Sequence, residues 1–426
     1  MTIRRSSNDR LGILLVLAVG TFTVGTDGFV LNGLLPTIAA DLHVTESVAG
    51  QLTTVFALTY AVASPLIAAF TGAWDRRWLL AGGMALFTVG MAGQALGTSF
   101  AVIAVARLLA AVGAAAFQSN AYVLAGALSS EERRGRALST VAAGMSVSMV
   151  LGVPIGVLAG HWFGWRAVMW GIGVVAVVVA VLIPIIPEVR VPAAGLRERL
   201  AVVVRPAVAR VLVVTVFGTL AAFTVFVYLP VLVAPVASGA VLSWVLVGFG
   251  LGQLAGTTLT GRATDRLGPA RVLAFSLAGT AVVLAVVDVA VLSLLGALLF
   301  ALFAGAFGGM LMVPQQHRLF TIAPDVPTVA LGVNGSAIYV GGALGSVLGG
   351  VVLAEAGPAW VGPAGALAAV AALALCVNPA SRTTSPRSAR TATPRGRPPT
   401  RARTARRCRS RRSRAGWTRS PRPGRR

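Results

Sequence analysis

Charged residues are scarce in this chain of 426 residues, at 12% of the sequence against the roughly 25% of a typical soluble protein. Lysine is absent, so all 36 basic residues are arginine. So few charges cannot cover a soluble surface, and this excludes a soluble globular domain. Hydrophobic residues make up 56% of the chain instead, which indicates an all-α integral membrane protein.

Cysteine and histidine are also rare. Cys376 lies in an apolar segment and Cys408 in a basic tail, which excludes a disulfide framework. His43, His161 and His317 are far apart and lack metal-ligand spacing. No phosphate-binding loop follows a strand, so ATP-driven transport is not expected. We therefore expect neither an enzyme nor a bound metal or cofactor.

Twelve apolar stretches are long enough to cross a bilayer, which takes about 20 residues. Charged or turn-forming residues separate them, as at 131–136 and 314–327, and Asp288 alone divides the longest apolar run. The predicted spans cover about 12–35, 48–70, 79–97, 100–126, 137–160, 165–186, 208–232, 241–261, 269–287, 290–313, 329–352 and 359–378.

Arginine placement predicts the orientation. With the N-terminus inside, 17 arginines before the tail fall on the inner side and only Arg166 falls on the outer side. Cytoplasmic loops carry the excess of basic residues in membrane proteins. Both termini are therefore predicted to be cytoplasmic.

A hydrophilic stretch divides the chain into two halves of six predicted spans. Residues 1–190 form the N-terminal half and 207–380 the C-terminal half, with a central cytoplasmic loop at 188–206 between them. The order Gly, Asp, Arg follows the second span of each half, at 71–77 and at 260–268. Parallel six-span repeats are typical of secondary transporters, whose substrate cavity lies between the repeats.

The tail, residues 381–426, holds 17 of the arginines and no acid. Most of the net charge of +23 therefore belongs to the tail, because 13 acidic residues offset most of the 19 arginines outside it. Such a composition cannot bury a core, and we expect disorder there. A nucleic-acid or lipid-binding module would rest on the tail alone, and deleting 382–426 would test it. We expect no nucleic-acid partner.

Asp27 is the only carboxylate deep inside a predicted span, and Arg107 is the only basic residue there. A buried charge must face a cavity, find a partner or be neutralised. Both residues lie about 10–12 Å below the outer boundary, at 1.5 Å per residue, so they could meet. The alternatives are an acid that merely packs and an arginine satisfied by backbone carbonyls.

A polar stripe follows Arg107 along the fourth span. Gln118 and Tyr122 lie about 20° and 60° from Arg107 around the helix, whereas Asn120 points away. Together with Asn32 on the first span, Gln118 and Tyr122 are interpreted as substrate-binding residues. Hydrogen bonding between helices is the alternative for the amides.

Several segments resemble the major facilitator superfamily. The segment 25–36, with Asp27 and Pro36, is similar to the first span of its drug:proton antiporter branch, and within it to bacterial permeases for arabinose or chloramphenicol efflux. Residues 107–113 resemble the fourth-span motif, and 152–156, with Pro154, resemble the antiporters' fifth-span motif. The resemblance covers residues 10 to about 380.

This resemblance implies a monomeric, multi-pass transporter in a bacterial cell membrane that exports small amphipathic compounds by alternating access. It assigns proton coupling to Asp27 and Arg107. A sugar or metabolite transporter of the same fold is the alternative, although an apolar cavity suits drugs better than polyhydroxylated sugars. The residues expected to gate the change of access are Gly72, Asp75, Arg76, Arg77, Gly152, Pro154, Gly156, Gly261, Asp265 and Arg266.

Overall fold

The computed structural model describes residues 7–71, 74–129, 131–186 and 196–377, almost all of them helical. The helices of the N-terminal half are α1 (Ser7–Gly33), α2 (Leu35–Asp41), α3 (Glu46–Phe70), α4 (Arg76–Leu96), α5 (Phe100–Ala127), α6 (Glu131–Val147), α7 (Val153–Phe163) and α8 (Trp165–Leu182). A π-helical segment, Ser148–Gly152, joins α6 to α7 in one continuous span.

Among the described residues, the central region holds one short helix, and nine helices further along form the second half. They are α9 (Leu196–Val203), α10 (Pro206–Phe226), α11 (Leu229–Val233), α12 (Ala240–Leu267), α13 (Pro269–Ala285), α14 (Val287–Ala290), α15 (Leu294–Met310), α16 (Met312–Ile322), α17 (Pro327–Glu355) and α18 (Val361–Val377), with a 3-10 turn at Pro358–Trp360.

Eleven helical segments of the described chain are long and apolar enough to cross a membrane. Helix α13 is apolar but has only 17 residues, so the count of twelve spans stays a prediction. Large apolar side chains lie exposed on the outside of the bundle, as Val174, Val177 and Val181 do on α8. Lipid tails can cover such a surface without cost, and the all-α, multi-pass membrane class is confirmed.

Helices continue past several predicted breaks. Helix α6 begins at Glu131, α16 continues through Pro314, and α12 reaches Leu267, so its Gly-Asp-Arg segment is helical and not a loop. Hydropathy marks where the hydrocarbon ends, whereas a helix ends at a breaker. Gly268, with a φ of 84°, is that breaker for α12. Pro314 is tolerated because the first helical turn needs no N–H donor.

The two halves meet along α3 and α17, and along α12, α7 and the π-helical segment. Two hydrogen bonds join α3 to α17 at the predicted outer end. The Ser47 hydroxyl donates to the Gly350 carbonyl at 2.7 Å, and the Ser346 hydroxyl donates to the Gly50 carbonyl at 3.0 Å. Side chain–backbone bonds therefore hold this end of the two halves together.

Candidate functional site

Asp27 and Arg107 form a buried ion pair between α1 and α5. The Arg107 Nη1 group donates to Asp27 Oδ1 at 2.7 Å, and both side chains are 0% exposed. The second carboxylate oxygen and two further guanidinium nitrogens have no hydrogen-bond partner in the described part of the chain. A buried pair held by one bond leaves the carboxylate open to an exchange of Arg107 for another cation, such as a proton.

Phe56 of α3 completes the surroundings of Arg107. The guanidinium carbon lies 4.4 Å from the centre of the Phe56 ring, which is the geometry of a cation–π contact. Phe56 itself is only 3% exposed. The positive charge is therefore held between a carboxylate and an aromatic face, both on helices of the N-terminal half.

The polar stripe of α5 divides as the helical angles predict. Gln118 lies beside Tyr122, and Tyr122 lies within electrostatic range of Tyr60 and Tyr339. Asn120 points elsewhere and accepts a hydrogen bond from Arg76 at 3.0 Å. Gln118 and Tyr122 thus face the region between the halves, while their role in substrate binding stays a prediction.

Sequence reasoning missed Tyr60 of α3 and Tyr339 of α17. Their rings stack with centroids 3.8 Å apart and planes at 24°. Tyr339 lies within electrostatic range of Asp27, although it belongs to the other half. The sequence held one signal, since three of its four tyrosines are Tyr60, Tyr122 and Tyr339, each alone in an apolar span.

Asn32 joins two helices of the N-terminal half. Its side-chain oxygen accepts a hydrogen bond from the Thr53 hydroxyl at 2.6 Å, which ties α1 to α3. Its amide nitrogen has no hydrogen-bond partner among the described residues. The oxygen therefore makes a hydrogen bond between helices, as the alternative to substrate binding predicts, whereas the amide nitrogen is still able to donate to a ligand.

The predicted gate before α4 is an organised turn. Asp75 caps α4 by accepting from the Arg77 backbone N–H at 3.1 Å, and it pairs with the Arg77 guanidinium at 2.5 Å. Arg76 is buried and bonds to Asn120 and to the carbonyl of Thr71 at 3.3 Å, which ties the turn to α5. Gly72 lies outside the described residues.

The second copy of this pattern is built differently. Asp265 and Arg266 are exposed in the last turn of α12, and neither has an ion-pair partner in the described ranges. Gly261 has open space beside it and is not needed for close packing. The two sequence repeats therefore do not form equivalent contacts in this conformation.

The fifth-span pattern packs along α1. A side chain at Gly152 would overlap Thr26 and Phe22, and one at Gly156 would overlap Val30. Pro154 is the second residue of α7, just after the π-helical segment, and proline removes a backbone donor at that point. Interrupted hydrogen bonding beside close helix contacts suits a span that bends.

These features define a multi-pass membrane transporter with two helical halves and an ion pair buried between its spans. The Major Facilitator Superfamily family model matches residues 17–236 and 211–419, and the chain belongs to this superfamily. Transport, and not catalysis, is the activity of this class.

Named relatives agree with this membership. The chain is 38% identical over 384 residues to the chloramphenicol resistance protein of Streptomyces lividans, covering 84% of this chain and 94% of that protein. It is 31% identical over 380 residues to the inner membrane transport protein YdhP of Escherichia coli K12, covering 85% of this chain and 94% of that protein. A D-xylose–proton symporter crystal structure matches with a TM-score of 0.70 at 16% identity, covering 86% of this chain and 97% of that one, which shows the fold alone.

Proposed function

We propose that this transporter exports small amphipathic compounds, with chloramphenicol-like molecules as candidate substrates, in exchange for protons. The observation that carries the proposal is the fully buried pair of Asp27 and Arg107. Intramembrane ionisable residues are rare and mark ion or substrate pathways. The identity of 38% to a chloramphenicol resistance protein supports the substrate class.

Proton coupling follows from competition for one carboxylate. In the present arrangement Arg107 occupies Asp27 Oδ1. A proton arriving at the carboxyl cancels its charge and so weakens the attraction to the guanidinium. Arg107 is then free to move between two sets of contacts, and the two access states differ in which cation Asp27 holds. A ligand can shift such an equilibrium only through its different affinity for the two states.

The surroundings of the pair favour an amphipathic substrate. Aromatic rings from both halves gather near it, namely Phe56, Tyr60 and Tyr339, and the polar groups close by include the tyrosine hydroxyls, Gln118 and Tyr122. An apolar wall with a few placed polar groups is typical of sites for drug-sized molecules. A sugar would need more hydrogen-bonding partners than these.

Accumulation in intact cells tests the proposal. Cells expressing the transporter should hold less labelled chloramphenicol than control cells, and a protonophore should remove the difference. Labelled D-xylose should be unaffected. A protonophore-sensitive change in xylose with no change in chloramphenicol would establish the sugar alternative instead.

We further propose that both termini are cytoplasmic, on the strength of the arginine distribution. The test uses single cysteines at His161 and His317 in a background without Cys376 and Cys408. A membrane-impermeant thiol reagent should label position 161 from outside and leave position 317 unlabelled. The reverse pattern would overturn the orientation.

A further inference from the structure

The stacked tyrosines join the two halves of the transporter beside the buried ion pair. Tyr60 comes from α3 and Tyr339 from α17, and the distance of 3.8 Å between their ring centroids is close contact. Tyr60 is buried, at 5% exposed, and Tyr339 is partly buried. Nothing in the assigned roles of Asp27 and Arg107 accounts for this contact between halves.

An unbroken series of contacts links this stack to Asp27. Arg107 holds the carboxylate at 2.7 Å and lies 4.4 Å from the centre of the Phe56 ring. Phe56 stacks on Tyr60 one helical turn later, with centroids 6.3 Å apart and planes at 29°. Tyr60 then stacks on Tyr339. Each member touches the next, and only the last step crosses from one half to the other.

The ionisable groups that face this region come from three helices besides α1. They are Tyr60 from α3, Arg107 and Tyr122 from α5, and Tyr339 from α17. The ionisable side chains described on α6, α7 and α8 (Arg136, His161 and Arg166) lie near the helix ends. A change in the charge of Asp27 therefore acts mainly on Arg107 and on these tyrosines.

We propose that the Tyr60–Tyr339 stack is the contact through which the protonation of Asp27 controls the association of the two halves. This inference rests on the proposed proton coupling at Asp27. When Asp27 is charged, Arg107 stays between Asp27 and Phe56 and the stack is held. When Asp27 takes a proton, Arg107 leaves that position, Phe56 loses its partner, and the stack opens. In this step Tyr60 and Tyr339 act as positioning residues, because they respond to Asp27 through Arg107 and Phe56.

Distances between spin labels measured against pH test this coupling. Trp74 and Phe320 are exposed, at 59% and 52%, at the predicted inner ends of the two halves, so each can be replaced by a labelled cysteine. The background lacks Cys376 and Cys408. In the otherwise unaltered protein, the distance distribution should shift between two populations as pH changes. In Asp27→Asn it should not respond to pH.

Substitution of the tyrosines tests whether the stack itself carries the pH response. Tyr339→Leu keeps an apolar side chain but removes the stack, so the ratio of the two populations should change by about two- to tenfold and its response to pH should be lost. Tyr60→Leu should do the same from the other half, which protects the test against misfolding of one variant. Tyr339→Phe keeps the ring and should retain most of the response.

The matched control is Phe307→Leu, which removes an aromatic pair with Phe275 inside the C-terminal half. Its pH response should be unchanged. An unaltered pH response in both leucine variants, with Asp27→Asn unresponsive, would overturn the inference and leave proton coupling intact. A normal pH response in Asp27→Asn would overturn the proposed function, and the inference with it.

Discussion

Replacing Arg107 with alanine removes the positive charge that holds Asp27. The carboxylate is then left in a site where both partners were 0% exposed, and the Phe56 ring loses its cation. Breaking a buried ion pair by removing one partner costs about 3–5 kcal/mol when the remaining charge stays. The carboxyl avoids most of this cost by keeping its proton.

The size of the effect follows from the geometry. Loss of an adjacent opposite charge moves the titration of a carboxyl by about 1–3 pH units, and this pair is in contact at 2.7 Å. We therefore expect the pH dependence of substrate binding to move alkaline by about 1–3 units in Arg107→Ala. Transport should fall at the same time, because the competing cation is gone.

Binding of chloramphenicol to the purified protein, measured against pH, is the assay. Arg107→Lys should recover only part of the normal profile, because an ammonium group cannot reproduce the planar guanidinium. The matched control is Arg76→Ala, which removes a second buried arginine of the described chain, one that bonds to Asn120. Its midpoint should stay at the normal pH, even if transport slows.

An acid shift in Arg107→Ala, or no shift, would refute this reasoning. Either result would mean that Arg107 does not compete with protons for Asp27. The contact at 2.7 Å would then be structural only.

Two further predictions concern packing and the inner surface. Gly144→Ala should lower the melting temperature in detergent, because its Cβ would overlap the Ala18 carbonyl, whereas Gly171→Ala, with open space around it, should be neutral or slightly stabilising; equal melting temperatures would contradict the packing. The hydrogen bond from Arg205 holds the pKa of the Asp325 carboxyl below its ordinary value, so this pair stabilises the protein at neutral pH and stops doing so as pH falls through the lowered pKa. Asp325→Asn should therefore reduce stability at neutral pH more than in acid, and an equal loss at both would refute the pairing.

The ion pair could be predicted from the sequence because depth in a membrane span is countable. Asp27 and Arg107 are each the single charge of their kind inside a span, and the rise per residue places both at one level. The angles along α5 likewise separate Tyr122 from Asn120, whose partner is Arg76. Local helical geometry fixes such relations before any packing is known.

The contact between the halves could not be predicted in this way. Which face of α17 meets α3 depends on how the two halves pack, and most residues on α17 are apolar or small. Tyr339 therefore looks the same whether it faces lipid or Tyr60. The continuation of α12 to Leu267 was not predicted for another reason. Aspartate and arginine mark where a span leaves the hydrocarbon, but they do not end a helix.

Proton-driven transport by Asp27→Asn in proteoliposomes tests the central claim most directly. An imposed pH gradient should drive labelled chloramphenicol across the membrane with the unaltered protein and with Asp288→Asn, a change in the short helix α14. The same gradient should drive none with Asp27→Asn, although that variant still binds chloramphenicol. Gradient-driven transport by Asp27→Asn at the normal rate would contradict the account.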